Sequence, residues 1–167
     1  MNRRSRQLNT LARSVLKTQK APLIGRGLAR WNFIHVHDLS TLFRLLAEAA
    51  AIHNINAELW GAESGYYLAE NEDHAWGDIA RWAWIAAREE GLLKDVSKDG
   101  NVDVQTVQMD KKEALDLAGF EALSWGMNSR GEARRAKKYL GWKPEHNVRE
   151  ALPGIVRVEN EALDSAT

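Results

Sequence analysis

The chain has 167 residues, 44% of them hydrophobic and 28% charged, which is enough for one buried core and ordinary for a globular protein. Lys and Arg together number 23 and Asp and Glu 23, so no net field favours nucleic acid or an anionic membrane, and neither is expected as a partner. There is no cysteine, hence no disulfide or thiolate chemistry, and apolar runs such as Leu45 to Ile52 are too short to span a bilayer.

Residues 4–18 place Leu8, Leu11, Ala12, Val15 and Leu16 on one face at helical spacing. Residues 1–20 are basic and free of acids, since the first acidic residue is Asp38, so they also read as a mitochondrial presequence. A cytoplasmic protein is the expected reading and a mitochondrial one the alternative. Pro22 ends this helix, Gly25 and Gly27 mark a turn, and Arg30 to Val36 alternates as a strand does. Asp38 is expected to cap a second helix whose face is Leu39, Leu42, Phe43, Leu46, Ala49 and Ala50.

Gly65 to Ala69 is a short apolar strand candidate, followed by a polar loop. A third helix covers Trp76 to Glu90, packs through Ile79, Ala80, Ala83, Ala86 and Ala87, and closes at Gly91. Val102 to Met109 alternates as a strand, and Lys111 to Ala118 is a helix ended by Gly119. Ser129 and Glu132 have the spacing of a capping box for a helix ending at Leu140-Gly141, and Asn147 and Glu150 repeat that spacing before a last helix. With no linker or repeat, the expectation is a single domain over residues 1–167, mixed α/β and helix-rich.

Chemistry-bearing patterns are few. A dinucleotide needs a glycine-rich turn after a hydrophobic strand, so that backbone amides reach the pyrophosphate at a helix N-terminus. Gly25-Arg26-Gly27 has no third glycine in the required place, and the chain carries no Walker loop, no Gly-x-Ser-x-Gly elbow and no His-Glu-x-x-His helix. His35 and His37 could be a metal pair, but His53, His74 and His146 are scattered in sequence, so no metal site is assigned. Arg134, Arg135, Lys137 and Lys138 read as a solvated helix face.

Segments in a shared order resemble extended short-chain dehydrogenases/reductases, the NAD-dependent epimerase/dehydratase group. Gly25-Arg26-Gly27 through Arg30-Trp31-Asn32-Phe33-Ile34-His35-Val36-His37-Asp38-Leu39 resembles that family's "R-x-F-I-H-V-x-D-L-A" segment. Gly65-Tyr66-Tyr67-Leu68 resembles its late strand, Trp76-Gly77-Asp78-Ile79-Ala80 the helix that follows, and Leu140-Gly141-Trp142-Lys143-Pro144 its "L-G-W-x-P"; Ala151-Leu152-Pro153 fits its final helix. The resemblance covers residues 20–155. It implies the C-terminal, substrate-side lobe of an NAD(P)-binding Rossmann-type protein, without the glycine-rich nucleotide-binding half.

In that family the cofactor glycines and the catalytic Tyr-x-x-x-Lys lie upstream of the stretch present here, so the resemblance implies a missing N-terminal half. Tyr139 and Lys143 repeat the four-residue spacing, but Gly141 and Pro144 break the helix that such a pair needs, so no catalytic residue is assigned. NAD or NADP is the implied cofactor, with no binding expected from this chain alone. Arg30, Trp31, Asn32 and Arg130 are the candidate walls of a small-molecule substrate pocket. The family's sugar-nucleotide epimerases set an arginine on substrate phosphates near this strand. Trp31 stands at the matching position and Arg30 one residue away, which implies a less anionic substrate. Trp31 reads equally well as a core anchor. The alternative function is a non-catalytic interaction module, whose orphaned strand edges and apolar faces self-associate or pair with the missing half.

Overall fold

A computed structural model describes residues 4–52, 58–60 and 65–166. The elements in order are α1 (Arg6–Thr18), β1 (Ala21–Ile24), β2 (Arg30–Phe33), α2 (Val36–Ala51), β3 (Glu72–Ala75), α3 (Trp76–Glu89), β4 (Thr106–Met109), α4 (Lys111–Ala118), α5 (Arg134–Leu140) and α6 (Val148–Asp164), with a 3-10 segment at Gly119–Gly126. The fold is mixed α/β and helix-rich, with small sheets. It divides into two compact units, one made of residues 1–31, 74–128 and 149–167, the other of residues 32–73 and 129–148. β2 and β3 pair as a two-stranded sheet, and each contributes residues to both units.

The first unit is built on a parallel pair, β1 with β4, in the register Ala21 to Thr106 through Ile24 to Met109. Parallel strands need a long crossover and coverage by helices. Here α1 and α3 pack on β1. From α1 come Leu11, Ala12, Val15 and Leu16, all buried, while Leu8 is only half-buried at its start. From α3 come Ile79, Ala80, Ala83, Ala86 and Ala87, together with Trp76 and Trp84, two rings that the helical period alone did not put in the core. Small alanines let α3 approach closely, and the tryptophans fill the volume left between elements. The Trp84 Nε1 donates to the Gln19 carbonyl at 3.1 Å, so its one polar atom is satisfied.

One close approach fixes the entry to α3. Gly27 has φ +70°, and a Cβ on Gly77 would lie 2.7 Å from the Gly27 carbonyl oxygen. The amides of Trp76 and Gly77 donate to the carbonyls of Ala29 and Gly27 at 2.8 and 2.9 Å.

The second unit has a small core of Leu42, Ala133, Ala136 and Trp142, with Ile34, Leu45, Leu46, Tyr67, Ala69 and Leu140 packed against it. Polar side chains do much of the remaining work. Glu70 accepts from the amide of Ala133 and Glu72 from that of Val148, while Asn71 donates to the carbonyl of His146.

Several expectations are corrected here. Residues 65–69 form no strand, and the strand of this region is β3, farther along. The N-cap of α2 is His35, not Asp38, which falls within the first turn. Of the α2 face expected from periodicity, Leu42 and Ala49 are buried, whereas Phe43 is 64% exposed. Ser129 and Glu132 do not cap α5, which starts from Ala133 without a side-chain cap; a capping box forms instead at Asp110 and Glu113 of α4. The cap signature is a spacing, and it closes only where a helix begins at its first residue: α4 begins directly after Asp110, whereas α5 begins at Arg134, past both Ser129 and Glu132.

Candidate functional site

In the first unit the turn after β1 opens a shallow cleft of about 420 Å³ lined by Ile24, Gly25, Arg26, Leu28, Ala29, Gly126 and Asn128. In open α/β sheets, ligands bind in the crevice beyond the carboxyl ends of parallel strands, which is where this cleft lies relative to β1. Arg26 is exposed there, and the side-chain Oδ1 of Asn128 accepts from the Arg30 backbone amide at 2.8 Å. Arg26 and Asn128 were not among the residues singled out in the sequence. Arg26 carries the signal that could have found it, as a lone cation between two glycines of a turn.

The same turn does not fit a dinucleotide. A pyrophosphate cradle needs free amides at a helix N-terminus. The two leading amides of α3 are already bonded to Ala29 and Gly27, and the glycines serve a tight turn and the close contact with Gly77. Tyr139 and Lys143 do not share a helix either. Gly141, at φ 61° and ψ 22°, ends α5 after Leu140.

The four candidate substrate residues fall into both units. Arg30 and Trp31, half-buried on β2, belong to the first, where the Trp31 ring sits 6.2 Å from that of Trp76 at a 51° tilt. That contact is an aromatic packing contact, and Trp31 is not among the residues lining the cleft after β1. Asn32 and Arg130 belong to the second unit, where the side-chain Oδ1 of Asn32 accepts from the backbone amide of Gly131, next to an exposed Arg130. Asn32 is thus a positioning group for the 129–132 loop.

The second unit holds a denser polar centre. Asp38 is 4% exposed and accepts from the backbone amides of Glu145 and His146 at 3.1 and 3.0 Å, with the His146 Nδ1 3.0 Å from its Oδ1. Its own carbonyl accepts from the buried Trp142 Nε1 at 2.9 Å. Burial raises the Asp38 pKa, but hydrogen bonds from the His146 ring and the two amides outweigh it, and the net direction is downward. The His146 ring stacks on His35, with centroids 4.4 Å apart and planes 12° from parallel, and His37 stands 5.0 Å from His35 and 5.5 Å from His146. His35 is held below its ordinary pKa, first by burial, then by His146 and His37, while Asp38 pulls the other way. In sequence His146 stands apart from the His35/His37 pair. The fold brings it there through Asp38, across 108 residues, a separation that no local spacing signals.

Comparison with known proteins gives one informative relative. The "Oxidase ucsJ" of Acremonium sp is 32% identical over 146 residues, covering 84% of this chain and 40% of that protein. The chain therefore spans less than half the length of that relative. No family model matches the chain, and no solved structure matches it. Among the described residues, no helix is long and apolar enough to cross a membrane.

Proposed function

We propose that this chain is the substrate-side part of an oxidoreductase, of the short-chain dehydrogenase/reductase kind that uses NAD or NADP, acting on a carbonyl or hydroxyl carbon. The observation that carries the reading is the similarity to an oxidase along 84% of the chain, covering 40% of that relative. The reading is supported by the parallel β1–β4 pair covered by helices, with an open cleft at the carboxyl end of β1, where ligands of open α/β sheets bind. Arg26 and Asn128 line that cleft and are the polar groups offered to a substrate; Arg30 and Trp31 sit on the strand that follows it. On this reading no chemical step is assigned to the residues present.

The test is a chimera: ucsJ with its matching stretch replaced by this chain, titrated with NADH and NADPH while tryptophan fluorescence is followed. Saturable quenching by the chimera supports the proposal. A folded chimera that binds neither nucleotide overturns it.

The interaction-module reading has its own support in the large apolar side chains left exposed on the second unit: Phe43, Tyr66 and Leu68 are between 59 and 81% exposed. Light scattering distinguishes it, since a module of that kind self-associates through such surface and a substrate lobe with intact solubility stays monomeric.

A further inference from the structure

The cluster of histidines in the second unit has no part in the function proposed above. We infer that His35, His37 and His146 form a binding site for one divalent transition-metal ion of borderline softness, Zn²⁺ being the best match.

Their candidate ligand nitrogens all lie within 4.8 Å of one another. Around a tetrahedral Zn²⁺ with bonds of about 2.0–2.1 Å, neighbouring ligand nitrogens stand roughly 3.3 Å apart. Closing that gap needs ring rotation at His35, whose plane is stacked on that of His146 and shares no ion position with it, while the His146 ring stays against Asp38; the second side-chain torsion of histidine is broad enough to supply it. His37 is exposed and His35 half-buried, so an ion reaches the cluster without opening the fold.

The surroundings are those of a metal ligand set rather than of an accidental surface group. A ligating histidine usually donates its other ring nitrogen to a carboxylate, which fixes the tautomer and the ring orientation. Asp38 is placed for that task. Its carboxylate is buried, held by the amides of Glu145 and His146, and lies 3.0 Å from the His146 Nδ1, which leaves Nε2 for the ion. The Asp38 charge also offsets part of the charge of a divalent cation. Three neutral imidazoles select Zn²⁺, Cu²⁺ or Ni²⁺ over Mg²⁺ and Ca²⁺, which take oxygen ligands. Three protein ligands leave a fourth position for water or an exogenous ligand.

Binding has a structural consequence at α2. The His35 Nδ1 accepts from the His37 amide at 3.2 Å as the helix N-cap. A ring nitrogen has one lone pair. If Nε2 ligates, Nδ1 carries the proton; if Nδ1 ligates, its lone pair is used. Either way the His37 amide loses this acceptor, so metal loading releases the cap of α2.

The test uses the full chain, free of any affinity tag and treated with chelator. Calorimetric titration with ZnCl₂ is expected to give one ion per chain. In nitrogen-detected NMR of the wild type, the ring signals of His35, His37 and His146 shift, the His37 amide moves with them, and His74 stays in place. His146→Gln and His37→Ala are expected to weaken binding at least tenfold, Asp38→Asn about tenfold as a lost carboxylate partner does, and His74→Asn not at all. No saturable binding, or saturable binding that leaves those three ring signals unmoved, overturns the inference. The wild-type spectra decide the matter even if a variant fails to fold.

Discussion

The two units hold themselves together by different means, and the difference decides what a sequence can reveal. The first is mainly a set of regular elements whose apolar faces meet: α1 and α3 bury alanines, leucines and tryptophans against β1, and one buried carboxylate, Glu159, is held by Asn9 and Arg4. The second packs a small cluster of Leu42, Ala133, Ala136 and Trp142 and relies on carboxylates and an amide, Asp38, Glu70, Asn71 and Glu72, that satisfy backbone groups far away in the chain. Apolar burial is insensitive to the detail of partners, whereas a buried carboxylate is stable only while each of its partners is present. The packed helix faces of the first unit should therefore lose stability in proportion to volume removed, and the second unit in proportion to polar partners removed.

The largest effect is expected in the first unit. Trp84 is fully buried, so Trp84→Ala should cost about 3–5 kcal/mol in denaturant unfolding. A cost under about 1 kcal/mol would mean that this core is not packed around the ring.

Asp38→Ala comes next. It strands the amides of Glu145 and His146 and removes a charged partner of the His146 ring, a loss of about 2–3 kcal/mol. Hydrogen exchange should accelerate at residues 143–147 and at the start of α2, and remain unchanged in α1 and α3. Equal acceleration everywhere would erase the contrast between the units.

The pH dependence in chelator-treated protein sharpens the same point. The Asp38 pKa is lowered in the folded state, so on acidification the unfolded chain takes up the proton first. Its contribution is whole above the unfolded value of about 4 and is lost as pH falls through the lower folded value. His35 is also lowered, so its contribution is whole above about 6.5 and fades as pH falls through its folded value. Denaturant midpoints measured across this range should decline in two stages, and Asp38→Asn should remove the more acidic stage.

The smallest effect belongs to a local cap. Asp110 and Glu113 bond each other's backbone amides at the start of α4, so Asp110→Ala should cost about 1 kcal/mol, read as a shift in the unfolding midpoint.

This contrast also explains what the sequence disclosed. The face of α3 and the bounds of α4 follow from local period and punctuation, and Ile79, Ala80, Ala83 and Gly119 stand where those rules put them. The second unit resisted the same rules. Asp38 looked like a helix cap because it precedes an apolar stretch, yet its carboxylate is engaged with Glu145 and His146, and His35 caps instead. Residues 65–69 have the composition of a strand but are not one, and β3 forms at Glu72–Ala75 instead. The gathering of His35, His37 and His146 depends on a contact across 108 residues, which composition and spacing do not encode. The cleft after β1 was half-legible: its glycines were visible as a turn, but the spending of the α3 amides on Gly27 and Ala29 is a tertiary fact.

The most direct measurement is a titration of the purified chain by itself with NADH, following tryptophan quenching and nicotinamide emission together. Because the amides of Trp76 and Gly77 are committed to backbone carbonyls, the account predicts only a linear, non-saturating change. A saturable isotherm with one nucleotide per chain would contradict it, and would place a dinucleotide cradle within these residues.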